Sequence, residues 1–299
     1  MNATEHSPHA LITGASGFLG NYLLKLAPAS VRVLGQYRNH RPVVCPPNCQ
    51  LVRQDWLRPM DEFLSRYRPG IIIHTAAMAQ LDECEEKKEL ANRLNIRVTE
   101  QLAEWAAQID ARFIFISTDI VFDGSRGNYT ESDRPHPINH YGRTKAEAEQ
   151  RVLRLHPNAV VVRTSIIYGK ALGGRPSFTE VLLRRLRHGE NVPVFTDQYR
   201  SPVFVEDLAR AIWELAENDF RGILHVAGPE RLSRERIGEI VCEVFRLNPE
   251  LLVPIQTEDI QLRAPRPLDT SLNIDLATQV LNTPLHPFRG GVRLAFPDS

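Results

Sequence analysis

The 299-residue chain is long enough for one large domain, or a domain with a smaller lobe, and it can bury a substantial core. Its 42% hydrophobic and 24% charged residues are ordinary for a globular protein, and 36 basic residues against 36 acidic ones leave a formal net charge of zero. That balance argues against a nucleic-acid or membrane-surface protein, whose footprint is a basic excess. No apolar run approaches the roughly 20 residues that span a bilayer, and residues 1–9 are polar with no apolar leader core. Four cysteines (Cys45, Cys49, Cys84 and Cys242) do not make a disulfide framework in so long a chain, so the cytoplasm is the expected compartment. Cys45 and Cys49 have the look of half a metal site, but no second pair follows, and no metal is expected.

In chain order, residues 9–13 read as a strand, 18–26 as a helix, 31–36 as a second strand and 50–53 as a third. Residues 70–75, with Ile71, Ile72 and Ile73 in succession, read as a strand buried on both faces. A long helix is predicted over 87–108, where Leu90, Leu94, Val98, Leu102 and Trp105 recur at helical spacing. A strand at 112–117, a helix at 139–155 and a strand at 159–164 follow. Strands alternating with helices imply right-handed crossovers and a parallel sheet covered on both sides. The second half is less regular, with helices at 177–187 and 205–216, a short strand at 223–226, and a loop-rich, proline-bearing stretch at 253–267. A helix runs from Ser233 to Phe245, with Ser233 as N-cap and Arg236 where a capping box would carry Glu. The expected architecture is α/β: a doubly wound parallel sheet of the Rossmann type in residues 1–170, then a smaller mixed substrate lobe in 171–299. Within that lobe, 200–228 is expected to pack back on the first domain.

Gly14, Gly17 and Gly20 stand between the first strand and the first helix. One glycine permits the tight turn, one lets backbone N–H groups reach a pyrophosphate, and one allows helix and strand to pack closely. The pyrophosphate would lie at the positive end of the helix. The turn therefore points to a dinucleotide, with Ser16, Phe18 and Leu19 as further cofactor contacts. An acid after the second strand holds the ribose of NAD, whereas an arginine accommodates the 2′-phosphate of NADP. No Asp or Glu occurs in residues 6–54, and Arg38 follows the second strand, so NADP(H) is favoured over NAD(H). Asp55 could accept a hydrogen bond from the adenine amino group, with Trp56 beside it.

Tyr141 and Lys145 are four apart in a predicted helix and project from one face. Ser117 and Thr118 end a strand at the edge where such sheets bind ligands. The set suits carbonyl reduction, in which charge develops on the carbonyl oxygen and a proton donor must be in place. A tyrosine with reference pKa of about 10 is a poor acid-base group at neutral pH. The Lys145 ammonium is expected to lower that pKa and to hold the cofactor ribose, while Thr118 and Ser117 would hydrogen-bond the substrate oxygen.

Residues 11–20 (LITGASGFLG), 74–77 (HTAA), 115–124 (FISTDIVFDG), 141–147 (YGRTKAE), 162–169 (VRTSIIYG) and 201–211 resemble the extended short-chain dehydrogenases/reductases, and more closely the dTDP-4-dehydrorhamnose reductase family. The resemblance implies reduction of a 4-keto nucleotide-linked sugar, a small-molecule partner, by NAD(P)H. It makes Thr118, Tyr141 and Lys145 the catalytic set and places Ala76, Ala77 and Asn95 along the cofactor cleft. The sugar-nucleotide dehydratases of the superfamily carry Thr-Asp-Glu where this chain has Thr118-Asp119-Ile120, so elimination is not expected. The family usually has Tyr in place of Ile120 and Trp in place of Ile166, both at the sugar site, which implies a different sugar here. Arg263 and Arg266 could bind the diphosphate or be ordinary solvated arginines. The chain is also similar to the regulatory beta subunit of methionine adenosyltransferase, and epimerases share the fold and the tyrosine. A homodimer is compatible with each of these readings.

Overall fold

The computed structural model describes residues 9–297. Seven strands form one parallel sheet: β1 (Ala10–Thr13), β2 (Val33–Tyr37), β3 (Cys49–Arg53), β4 (Ile71–His74), β5 (Arg112–Thr118), β6 (Val160–Thr164) and β7 (Gly222–His225). Their order across the sheet is β3-β2-β1-β4-β5-β6-β7, so the chain winds one way from β1 to β3 and the other way from β4 onward. This is the doubly wound α/β arrangement.

Alternation along the strands feeds two separate cores. Ile12, Ile73, Ile114 and Val162 face one side and pack with residues such as Leu23, Leu183 and Ile212. Leu11, Ile72, Phe113 and Val161 face the other and meet Trp56, Leu102, Trp105 and Val152. Both faces are therefore dry, which is why the strands read as continuous apolar runs. β7, from the second half of the chain, pairs with β6 at the sheet edge.

The predicted long helix at 87–108 is interrupted. A short helix, Leu81–Glu86, precedes it; the main rod then runs through Lys88–Ala91, a π-helical turn at Asn92–Arg97, and Val98–Gln108. Leu81–Glu86 buries only Cys84 and so carries no hydrophobic period to read. The stretch after residue 252 also differs from expectation: Leu252–Ile255 is a strand, paired in parallel with Val192–Phe195. Its Pro254 masked the signal, since proline is tolerated in an edge strand. Helix Arg234–Phe245 starts at Ser233, whose hydroxyl accepts from Arg236 N at 2.9 Å. Among the described residues no helix is long and apolar enough to cross a membrane.

The sheet and the helix His140–Leu155 are joined by a buried ion pair, Arg163 Nη2 to Glu149 Oε2 at 2.8 Å. Two buried histidines sit in the same layer. His74 lies between Thr13 Oγ1 (2.7 Å) and Thr99 Oγ1 (3.0 Å), and His225 Nδ1 bonds the carbonyls of Tyr129 and Asn273. Burial, with the nearby cations Lys145 for His74 and Arg163 for His225, pushes both down to about 3. They stay neutral when folded but take a proton on unfolding near their ordinary pKa of about 6.5. Stability is then lost as pH falls from 6.5 toward about 3, by up to about 1.4 kcal/mol per pH unit for each histidine. Urea unfolding between pH 7 and 5 should show this slope, and His225→Asn should shallow it whatever it does to the stability at pH 7.

Candidate active site

The reversal of winding between β1 and β4 sends their following loops apart and opens a crevice at the carboxyl ends of the strands. The glycine turn forms one wall. Gly14 has φ +67°, and a Cβ there would stand 2.9 Å from the backbone of Ala76. A Cβ on Gly20 would overlap the Gly14 carbonyl oxygen and the Ala15 backbone. Helix Phe18–Lys25 begins at Gly17, and no side chain caps it. Its first amides are thus left for an outside acceptor, which suits an anionic diphosphate.

Gln36, near the end of β2, holds this turn in place. Its Oε1 accepts from Gly14 N at 2.9 Å and from the indole of Trp56 at 2.8 Å. Trp56 is consequently buried, edge-on to Phe63 at 5.1 Å, and supports the turn from behind. Asp55 caps its own turn through Leu57 N at 3.1 Å. Arg38 follows β2 with its side chain exposed.

The cleft, about 310 Å³, brings Gly14, Gly17, Phe18 and Leu19 together with Ala77, Ser117, Thr118, Tyr141 and Lys145. Ser16 lies on the same turn and Ala76 packs behind it. Thr164 Oγ1, at the end of β6, also lines the cleft and is shielded from solvent without a hydrogen-bond partner. An orphaned donor, an uncapped helix start and a side-chain-free turn together fit a dinucleotide of the NAD(P) type.

Asn95 does not face this cleft. From the π-turn its side chain clamps Met78 through N (2.8 Å) and O (3.0 Å) and donates to Thr144 at 3.0 Å. It braces the loop after β4 against the helix that carries Tyr141. Ser117 also has a buried partner: its hydroxyl donates to Glu149.

The electrostatics reverse one expectation. Tyr141 is pushed well above its ordinary range by burial, then by the Cys84 and Asp119 side chains, against a hydrogen bond from Thr118. Lys145 does not lower it. The ammonium instead donates to Ile116 O at 2.7 Å and lies 3.9 Å from the Phe115 ring centre. Burial brings Lys145 down to about 7, with Glu149 opposing. Burial thus favours the protonated phenol and disfavours the charged form of Lys145.

Ile120, where the family has Tyr, is buried with Met78, Cys84 and Tyr141. Its aliphatic side chain helps to keep the phenol dry. Ile166 is half-buried and its carbonyl accepts from Val203 N at 3.0 Å; its neighbours Ser165 and Ile167 line the cleft instead. Arg266 pairs with Asp82 at 2.7 Å, and Arg263 pairs with Glu86. Both arginines lie against the helix Leu81–Glu86, Arg263 largely exposed and Arg266 half-buried. Asp119, beside Thr118, accepts from Ser165 (2.7 Å) and Thr270 (2.9 Å), tying the end of β5 to the second half of the chain. Gln36, Thr164 and Glu149 were missed from the sequence. Glu149 alone carried a signal, standing four residues after Lys145 on the same helix face.

Residues 9–298 match the family model described as the RmlD substrate binding domain. The chain is 32% identical over 305 residues to methionine adenosyltransferase 2 subunit beta of Xenopus laevis, covering 98% of this chain and 88% of that protein. It is also 32% identical to a probable low-salt glycan biosynthesis reductase of Haloferax volcanii, covering 89% and 90%. Among solved structures it is similar to dTDP-4-dehydrorhamnose reductase of Bacillus anthracis in complex with NADP, at 27% identity and a TM-score of 0.82 over 98% of this chain and 100% of that one. With the glycine turn, the Thr118–Tyr141–Lys145 cleft and a match over nearly its whole length, the chain belongs to the RmlD substrate-binding domain family of extended short-chain reductases.

Proposed function

We propose that the chain is an NADPH-dependent reductase of a 4-keto deoxysugar linked to a nucleoside diphosphate, with Tyr141 as proton donor. The observation that carries this reading is the meeting of Thr118, Tyr141 and Lys145 with the glycine turn in one cleft, the phenol held protonated. Gly14, Gly17 and the amides of Phe18 and Leu19 would hold the pyrophosphate, and Thr164 and Lys145 would hold the nicotinamide half. Arg38, in a stretch free of carboxylates, supports NADP over NAD. Bound NADPH supplies the hydride for the carbonyl carbon.

Tyr141 gives its proton to the oxygen on which charge develops. A raised phenol pKa does not oppose this, because an alkoxide is a far stronger base than tyrosinate; it ensures that the proton is present when needed. Thr118 orients that oxygen, and its own hydroxyl is steered by Asp119 at 3.2 Å. Ile120 and the buried wall around Cys84 exclude water from the phenol. A sugar held here meets an aliphatic surface where the family has a tyrosine.

A second reading, a subunit acting within a larger assembly, is supported by the similarity to the Xenopus protein. It predicts cofactor binding without turnover on any keto-sugar nucleotide.

Tyr141→Phe should keep NADPH affinity, by fluorescence titration, while kcat falls about 10²–10⁴-fold, the range for loss of a general acid. Arg38→Ala should raise the Kd for NADPH about tenfold and leave that for NADH unchanged, since one charge-assisted phosphate contact is worth about 1.5 kcal/mol. Gly20→Ala should weaken both cofactors together, because the added methyl overlaps the Gly14 carbonyl oxygen.

A further inference from the structure

Lys145 is nearly buried in the wall of the cleft. Its Nζ donates to one carbonyl, Ile116 O, and otherwise meets the face of Phe115. The charged and titratable groups around it come from three elements. Tyr141 and Glu149 share its helix, one turn to either side. His74 approaches from β4, near enough for Lys145 to lower its pKa, and is neutral. Arg163 comes from β6 and pairs with Glu149.

Two neighbours bond the Glu149 carboxylate. Ser117 Oγ donates to its Oε1, and Arg163 donates from Nε at 3.1 and 3.2 Å and from Nη2 at 2.8 Å. Arg163 in turn is 3.5 Å from neutral His225. The cluster therefore contains one carboxylate shared between two cations, a guanidinium that touches it and an ammonium one helical turn away. Neither Glu149 nor Arg163 lines the cleft, so neither can meet a substrate.

We propose that Glu149 is a positioning residue for Lys145: its carboxylate is the counter-charge that keeps the buried ammonium protonated, and Arg163 sets how much of that charge Lys145 receives. This goes beyond holding β6 against a helix. A purely structural pair predicts that losing either partner loosens the cleft in the same way. The electrostatic role predicts shifts of opposite sign. Removing Glu149 leaves burial unopposed and drives Lys145 toward the neutral amine. Removing Arg163 leaves the carboxylate with Lys145 as its one cation and holds the proton more tightly.

The consequence for turnover rests on the reductase reading, whereas the charge of Lys145 does not. The test therefore reads the lysine directly, in cofactor-free protein carrying [ε-¹³C]lysine. The chain has five lysines, and Lys25, Lys87, Lys88 and Lys170 are exposed, so the buried signal stands apart. In the wild type it should titrate far below the other four. Glu149→Gln should lower its pKa by about one unit, a tenfold change, and Arg163→Met should raise it, in line with one charge at close range. Glu149→Asp should restore most of the wild-type value. Should either single variant fail to fold, Glu149→Gln/Arg163→Met removes the carboxylate and its guanidinium partner together, and Lys145 should titrate below the wild type. With a reducible substrate, the alkaline limb of kcat should move the same way as the lysine. An unmoved Lys145 in Glu149→Gln or in the double variant, or shifts of one sign in both single variants, overturns the proposal. Lysine shifts as predicted with no NADPH oxidation on any keto-sugar nucleotide would instead remove the reductase reading alone.

Discussion

The cleft depends on one close approach of backbone to backbone. At the point where the sheet reverses its winding, the loop after β1 must turn back under the loop after β4, and the following helix must start against the strand it has just left. Gly14 and Gly20 allow this because no side chain would fit at either place. Gln36 then locks the result, bonding the Gly14 amide from the neighbouring strand. The anion-accepting helix start, the crevice and the position of the catalytic strand end all follow from that contact.

Around it the protein keeps the site dry, and dryness sets the acid-base states. Burial raises the Tyr141 phenol and lowers the Lys145 ammonium. These shifts run against the familiar picture of an ammonium that acidifies its tyrosine. A donor that must not lose its proton early gains from the first shift. Against the second stands Glu149, one turn on along the same helix and embedded with Ser117 and Arg163. The two hydroxyls at that strand end both line the cleft, Ser117 donating to Glu149 and Thr118 to Asp119.

Much of this was legible in the sequence. The strands β1, β4, β5 and β6 are apolar on both faces, and the period of the helix that carries Tyr141 and Lys145 is strong, so sheet and catalytic helix could be placed by pattern alone. Thr118, Tyr141, Lys145 and the glycines could be found because their chemistry is local to a turn or one helical step. What escaped was the set of partnerships that only the folded chain creates. Trp56 bonds Gln36 across 20 residues, and Arg266 meets Asp82 across 184. Ser117 reaches Glu149 across 32. Composition and spacing carry no trace of such pairings, so Trp56, Arg266 and Ser117 were read for ligand contact without sight of the partners the fold gives them.

The central claim is that this cleft delivers a hydride to a carbonyl carbon and a proton from Tyr141 to its oxygen. It is tested most directly by incubating the protein with [4-²H]NADPH, of each C4 configuration, and a panel of 4-keto nucleotide sugars, then locating deuterium in the product by NMR. The account predicts one deuterium at C4 of the reduced sugar, from one face of the cofactor only, with NADP formed in equal amount. Absence of deuterium at that carbon for every member of the panel would contradict it.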